Sequence, residues 1–313
     1  MFKLFVYTVV CRVSVILSFV VYLTMSANAI TYLPVIRVTD DEDEKTTDAL
    51  AIEEPLEIKL EYGPADDRKI QNISVTMRTP GDDAELALGF LFTEGIIKHQ
   101  SDTDSITHCF IACADNKENV IQVSLKEGAI PILNNTERNF YTTSSCGVCG
   151  KASINAIKTV SPFENNVHVI NHISADMIYL LPAILQKHQE VFSHTGGLHA
   201  SALFDSTGEL ILVREDVGRH NALDKLIGVA LNNDMLPLNQ HVLLLSGRAS
   251  FELVQKAAMA GINIIATVGA PSSLAVQLAE EFNITLVGFL RGRRFNIYTQ
   301  PNRILLSKHE DSY

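Results

Sequence analysis

Two cysteines two residues apart, Cys146 and Cys149, lie in the stretch TTSSCGVCGKASI (142–154), among serine, threonine and glycine. Such a pair has three chemical readings: a dithiol–disulfide switch, half of a zinc site, or a reactive thiolate with a helper. The surroundings bear on the choice. Gly147 and Gly150 loosen the loop, and helical periodicity begins at once in KASINAIKTV (151–160), with Lys151 near its start. A helix N-terminus and an ammonium both favour the thiolate. A thiolate on an accessible loop can take up a sulfane sulfur as a persulfide and carry it to an acceptor. Zinc would need Cys109 and Cys113 to complete a four-thiolate set, yet those two fall on a strand-like stretch, where they read better as small hydrophobes. A thioredoxin-type switch lacks its usual aromatic and proline surroundings. His194 and His199, in FSHTGGLHAS (192–201), read as part of a turn lining a pocket; no H-E-x-x-H accompanies them.

A second set of residues suits anions. Arginines and glycines recur just after apolar runs: REDVGRHN (214–221) with Arg219, SGRAS (246–250) with Arg248, GAPSS (269–273), and FLRGRR (289–294) with Phe289, Leu290, Arg291, Gly292, Arg293 and Arg294. Small residues let backbone N–H groups approach a ligand, and arginine forks match phosphate. None of these stretches is a Walker or dinucleotide fingerprint.

Elements must hold these loops. LEIKLEYG (56–63) and NISVTMRTPG (72–81) read as a hairpin, 83–97 as a helix running into a glycine stop, and 105–114 with 118–128 as a second strand pair. Ser174 is a plausible N-cap for the helix ADMIYLLPAILQKHQEVF, which Pro182 should kink or divide. Strands at 199–205, 209–216, 241–247, 262–269 and 284–290 alternate with helices at 219–233, 250–261 and 272–282. Near-continuous apolar strands between amphipathic helices predict a parallel sheet covered on both faces, with ligands outside the carboxyl ends of its strands.

Composition narrows the function classes. The chain has 313 residues, 47% hydrophobic, with a formal net charge of −11 and no tryptophan. That excludes a non-specific nucleic-acid binder, which needs the opposite charge. The acidic run Asp40–Glu44 reads as a solvated loop. Five cysteines in two close pairs plus Cys11 make a poor disulfide framework and suit a reducing compartment. The first residues are apolar, with Val13–Met25 of signal length and Ala27-Asn28-Ala29 resembling a cleavage site. We expect residues 1–24 to be a non-native or signal-like extension and the chain proper to start at Met25. A smaller β-rich domain over 31–140 and an α/β domain over 141–308 should follow.

Taken together, SSCGVCGKASI, HTGGLHASALFD, REDVGRHNALDKLIG, LLSGRASFELVQKAAMAGI, GAPSSLAVQLAEE and GFLRGRRFNIYT resemble the FdhD family of formate dehydrogenase accessory sulfurtransferases, from about Val35 to Arg303. The resemblance implies a cytidine-deaminase-like three-layer sheet-and-helix domain with a smaller β-rich N-terminal domain, in a homodimer in the cytoplasm. The deaminase zinc ligands are absent, so no deaminase activity is implied and no resident metal is expected. It further implies that a cysteine desulfurase supplies sulfur as a persulfide on Cys146, with Cys149 its partner. The sulfur passes to the molybdenum (or tungsten) bis-guanine-dinucleotide cofactor destined for formate dehydrogenase. The resemblance puts the cofactor contact at Phe289–Arg294, and Arg219 and Arg248 suit the same phosphate-rich substrate. Against this stands a cofactor-binding chaperone whose cysteines hold zinc or are dispensable.

Overall fold

The computed structural model describes residues 29–40, 42–109, 118–133, 163 and 172–306. Cys146, Cys149, Cys11, Cys113 and the expected helix at 151–160 lie outside the described residues.

Strands β1 (Ile30–Val38) and β2 (Asp43–Ala51) pair only with each other, as an antiparallel ribbon in register from Ile30 opposite Ala51 to Val38 opposite Asp43. Asp40, Glu42, Asp43 and Glu44 are exposed at its tip, where Thr39 Oγ1 accepts from Glu42 N at 3.2 Å. The two expected strand pairs are present as β3 (Glu54–Tyr62) with β4 (Lys69–Arg78), and β5 (Thr103–His108) with β6 (Val120–Leu125). Parallel pairing of β3 with β6 joins them into one four-stranded sheet, in the order β4-β3-β6-β5. The alternation in β3 buries Leu56, Ile58 and Leu60 on the face that helix α1 (Asp83–Thr93) covers.

After the two-residue strand β7 (Ile173–Ser174) come helices α2 (Ala175–His188) and α3 (Glu190–Thr195). Ser174 caps α2, its Oγ accepting from Met177 N at 3.2 Å. Contrary to expectation, α2 runs through Pro182 undivided and ends six residues later. Residues 178, 181 and 185 are buried on the sheet, so packing holds the helix where proline removes one hydrogen bond.

The remaining strands are β8 (His199–Phe204), β9 (Leu210–Asp216), β10 (Val242–Leu245), β11 (Ile264–Thr267), β12 (Thr285–Arg291) and β13 (Arg294–Thr299). Helices α4 (Arg219–Asn232), α5 (Phe251–Met259) and α6 (Ser273–Glu281) are interleaved, and β14 (Ile304–Leu305) returns to pair with β7. The six-stranded sheet has the order β13-β12-β11-β10-β8-β9. Its central strands β10, β11 and β12 are parallel, linked by α5 and α6. The sheet as a whole is mixed rather than parallel. The short turns at Asp205–Gly208 and Gly292 can make only antiparallel hairpins, β8–β9 and β12–β13.

Both faces are covered, as the strands' apolar runs require. Leu243, Leu245, Ile265 and Leu286 point to the α4–α5–α6 side, whereas Val242, Leu244, Ile264, Ala266 and Val287 point to α2. The first of these two clusters continues without a break through α4 and α1 to the four-stranded sheet. Helices α1 and α4 meet at glycines. A Cβ on Gly89 would lie 1.9 Å from the Asp224 carbonyl oxygen, and one on Gly228 would lie 1.9 Å from that of Glu85. Among the described residues, no helix is long and apolar enough to cross a membrane.

Candidate functional site

Strand direction brings the anion-suited loops together. Strand β8 runs opposite to β10, and β9 opposite to β8, so β9 is parallel to β10, β11 and β12. The turns after all four strands therefore open on one edge of the sheet, where β8 begins at His199.

The loops on this edge lie against each other. Gly269 N donates to Gly247 O at 2.9 Å, Phe289 N to Gly269 O at 2.9 Å, and Ser272 N to Ala249 O at 3.0 Å. Ala200 N donates to Ser246 Oγ at 2.8 Å. A Cβ on Gly269 would come within 2.8 Å of Gly247 O, so glycine is required there by backbone approach. Ser272 accepts from Ala275 N at 3.2 Å and caps α6. The GAPSS loop thus has a structural account in full.

The other two helices that start here are not capped by side chains. Helix α4 begins after Gly218, and although Ser250 stands at the N-cap of α5, its hydroxyl bonds no helix amide. Instead Ser250 Oγ lies 3.3 Å from His220 Nε2, in the first turn of α4. Arg219, the first residue of α4, has its Nε buried with no partner among the described residues. Arg248 is exposed beside Gly247 and Gly269, and the His199 ring packs against Gly247. The edge therefore carries two helix N-termini without side-chain caps and with an arginine next to each, an arrangement that favours an anion, while Glu252 in the first turn of α5 lies 3.9 Å from His220 Nε2.

Both histidines on this edge are shifted toward the neutral form, chiefly by burial. Burial, then Lys256, Arg219 and His199, push His220 down to about 3. Burial and Arg219 lower His199 as well, against the pull of Asp216. The folded state thus holds His220 neutral where the unfolded chain would protonate it. Its contribution is fully present above pH 6.5 and is lost as pH falls from there toward 3. We expect His220→Gln to flatten the rise of unfolding free energy between pH 5 and 6.5 by about one proton, close to 1.4 kcal/mol per pH unit. Urea titrations of both proteins across that range check this; parallel slopes would refute it.

The β12–β13 hairpin supplies the outer wall. Phe289 has φ 55, a left-handed conformation costly for a bulky residue, at an irregularity in the pairing between Gly288 and Arg291. Its ring stays part-exposed at the strand end. Gly292, with φ 57, makes the turn. Arg291 and Arg294 are register partners, two like charges face to face, and neither has an acidic partner among the described residues. The structure separates the other residues expected here. Leu290 is fully buried against α2, so its side chain packs the core. Arg293 turns away to α2, 2.6 Å from Asp176 and over the Tyr179 ring at 5.0 Å. His194 is exposed on α3 and does not join His199. Cys109 lies just past β5, its Sγ 3.6 Å from Gln122 Oε1.

Beneath the edge, Asp216 and Lys225 form a buried pair at 2.8 Å. Asp216 Oδ1 also accepts from Gly218 N at 2.8 Å and from Asn221 Nδ2 at 3.1 Å, which fixes the turn from β9 into α4. Thr79 N donates to Asp216 Oδ2 at 3.2 Å and Val217 N to Thr79 Oγ1 at 3.2 Å, which ties β4 to the same turn. Among the described residues, no three His, Cys, Asp or Glu side chains cluster to hold a metal.

This architecture is found elsewhere. A crystal structure titled as that of a formate dehydrogenase accessory protein from Desulfotalea psychrophila superposes with a TM-score of 0.67, covering 88% of this chain and 100% of that one at 24% identity. The sulfur carrier protein FdhD of Streptomyces coelicolor is 51% identical over 277 residues, 87% of this chain and 94% of the relative. That of Mycobacterium tuberculosis is 49% identical over 82% of this chain and 92% of its own length, and that of Saccharolobus solfataricus 42% identical over 86% and 96%. The family model described as the FdhD/NarQ family matches residues 51–305, and the chain belongs to that family.

Proposed function

We propose that this chain is a sulfur carrier that serves formate dehydrogenase maturation, with Cys146 as the carrying thiol. The observation that carries the acceptor half of this reading is the sheet edge. Arg219, Arg248 and the Arg291/Arg294 hairpin lie along the same sheet edge as two helix N-termini without side-chain caps, a surface suited to a phosphate-rich substrate. The names of the relatives support the sulfur half. In detail, the Cys146 thiolate attacks the outer sulfur of a cysteine desulfurase persulfide. A new S–S bond forms on Cys146, the old one breaks, and the desulfurase cysteine leaves as thiolate. Cys149 assists release: its thiolate attacks the Cys146 sulfur, the bond to the carried sulfur breaks, the two cysteines end as a disulfide, and the carried sulfur leaves as hydrosulfide for the molybdenum bis-guanine-dinucleotide cofactor, which is bound as substrate. The donor enzyme and the cofactor place this reading in the cytoplasm, and the resemblance adds a homodimer and the recipient formate dehydrogenase.

Intact mass under non-reducing conditions, after incubation with a cysteine desulfurase and cysteine, tests the donor half. Wild type should gain one sulfur, lost on reduction, and Cys146→Ala should gain none. Stoichiometric zinc without that gain would overturn the reading. Arg291→Ser/Arg294→Ser tests the acceptor half. This variant should load sulfur normally yet activate formate dehydrogenase at least about tenfold less well, since each lost charge-assisted contact weakens anion binding. Full activation by the double variant would remove the hairpin from the site.

A further inference from the structure

Among the described residues three arginines are buried, Arg78, Arg214 and Arg303, at 1%, 5% and 5% exposure. A buried guanidinium needs a countercharge, and its side-on edge, Nε with Nη2, matches two oxygens of a carboxylate or phosphate. Two of the three spend that edge in this way. Arg78 donates from Nε to Asp83 Oδ1 at 2.9 Å and from Nη2 to Asp83 Oδ2 at 3.0 Å. Arg214 donates from Nε and Nη2 to the two carboxylate oxygens of Glu85, at 2.5 Å and 2.8 Å. Arg303 does neither. Its hydrogen bond among the described residues runs from Nη1 to Thr285 Oγ1 at 3.2 Å. Thr285 spends its own proton on Gln300 O at 2.6 Å, so its hydroxyl turns a lone pair to the arginine and fixes the fork. Arg303 Nε is buried without a partner. Burial pulls this guanidinium below its ordinary value and no carboxylate opposes it. For Arg214 burial acts the same way, and Glu85 and Asp82 together reverse it.

We propose that the unpartnered Nε–Nη2 edge of Arg303 is a binding site for a small free oxyanion, a phosphate or a carboxylate. Arg303 closes the turn Pro301–Arg303 after β13, at the end of the six-stranded sheet where β12 starts. The glycine- and arginine-bearing loops lie at the opposite end of that strand, so the two sites are separate. The acid on the adjacent helix α6 is engaged elsewhere: Glu280 Oε1 accepts from Gln300 Nε2 at 3.0 Å. Size follows from burial. With 5% of Arg303 reaching water and Thr285 fully buried, a small anion can come down to the fork and a broad macromolecular surface cannot. An anion held there completes a chain from Arg303 through Thr285 to Gln300, across the open end of the β12–β13 hairpin. A ligand that binds the folded state alone stabilises it by mass action. The sulfur-carrier reading is not needed for this inference.

The test follows the thermal midpoint of the full chain against inorganic phosphate and, separately, acetate, with chloride holding the ionic strength constant. Wild type should be stabilised by at least one probe, and the more effective one gives the class of oxyanion. Arg303→Met keeps the bulk and removes the fork. It should raise the apparent dissociation constant of that probe at least about tenfold, as expected for one lost charge-assisted contact. Without probe it should be at least as stable as wild type, because it removes a buried charge that has no partner, whereas Arg78→Met should unfold far more easily. Because phosphate also suits the glycine- and arginine-bearing loops, Arg291→Ser/Arg294→Ser is the control and should keep the Arg303-dependent response. No response in wild type, or an equal response in Arg303→Met, would overturn the proposal. A second measurement leaves the chain unaltered: crystals of wild type soaked in selenate are examined by anomalous diffraction. A peak within hydrogen-bonding reach of Arg303 Nε supports the site. No peak there, or a carboxylate of the chain itself in the fork, would refute it.

Discussion

Gly228→Ala, a change that ordinarily strengthens a helix, should unfold this protein about 3 kcal/mol more easily. Alanine is the better residue in a helix interior by about 1 kcal/mol, so an open site would give stabilisation. Here the new methyl would stand 1.9 Å from the Glu85 carbonyl oxygen, well inside contact distance. The Glu85 carbonyl on α1 cannot yield cheaply. Helix α4 is buried from Asn221 to Leu231 between α1 and the sheet, and α1 lies against the four-stranded sheet. Relief means parting two packed helices, and overpacking of that kind costs 1–3 kcal/mol and sometimes more. Gly89→Ala should behave alike, since its methyl would meet the Asp224 carbonyl oxygen at 1.9 Å. The site should suffer with the fold, because α4 carries Arg219 and His220 to the sheet edge. Urea unfolding of both variants checks the sign, and stabilisation by either would show that the helices do not touch there.

That glycine contact shows where reading the sequence stops. Periodicity makes 83–97 and 219–233 helices, but no local pattern says that Gly89 meets Asp224. The strand-end rule brings the glycine- and arginine-bearing loops to one edge even though the sheet is not parallel throughout. Strand β9 ends on the same edge as β10 because two reversals through β8 restore its direction. Strand β13 went unread because Arg294–Thr299 is an edge strand with an exposed polar face and little apolar run. Arginines were visible as anion donors, but their partners were not: Asp176, 117 residues away, pairs with Arg293 on the surface. His220 stood in a quoted motif without distinction, since its meeting with Ser250 depends on how α4 and α5 converge. Of the ribbon only the acidic run was legible, as a solvated loop, because its two strands lack a body to alternate against.

Lys225→Met should cost about 3–5 kcal/mol, the usual penalty for removing one partner of a buried pair. Lys225 Nζ is buried 2.8 Å from Asp216 Oδ2 and donates to Thr79 O at 2.9 Å. Methionine fills the space but leaves Asp216, itself fully buried, without its countercharge. Three donors remain on that carboxylate, from Thr79 N, Gly218 N and Asn221 Nδ2. They cannot neutralise it. The pH dependence identifies the cause. Burial pushes the Asp216 carboxyl above its usual range, and Lys225 is the largest pull in the other direction. Without Lys225 the folded state should hold a proton on Asp216 at a pH where the unfolded chain has released it. For a raised carboxyl, stability falls as pH rises from the unfolded value toward the folded one. The Lys225→Met penalty should therefore shrink as pH is lowered from 7.5 to 5, and Asp216→Asn added to it should recover part of the loss at pH 7.5. Equal penalties at both pH values would mean that packing, not charge, is what Lys225 supplies. Because the same carboxylate fixes Gly218 at the entry to α4, Lys225→Met should also weaken activation of formate dehydrogenase while sulfur loading on Cys146 continues. That split follows from the proposed division of labour, with sulfur uptake on the cysteine loop and acceptor binding on the sheet edge.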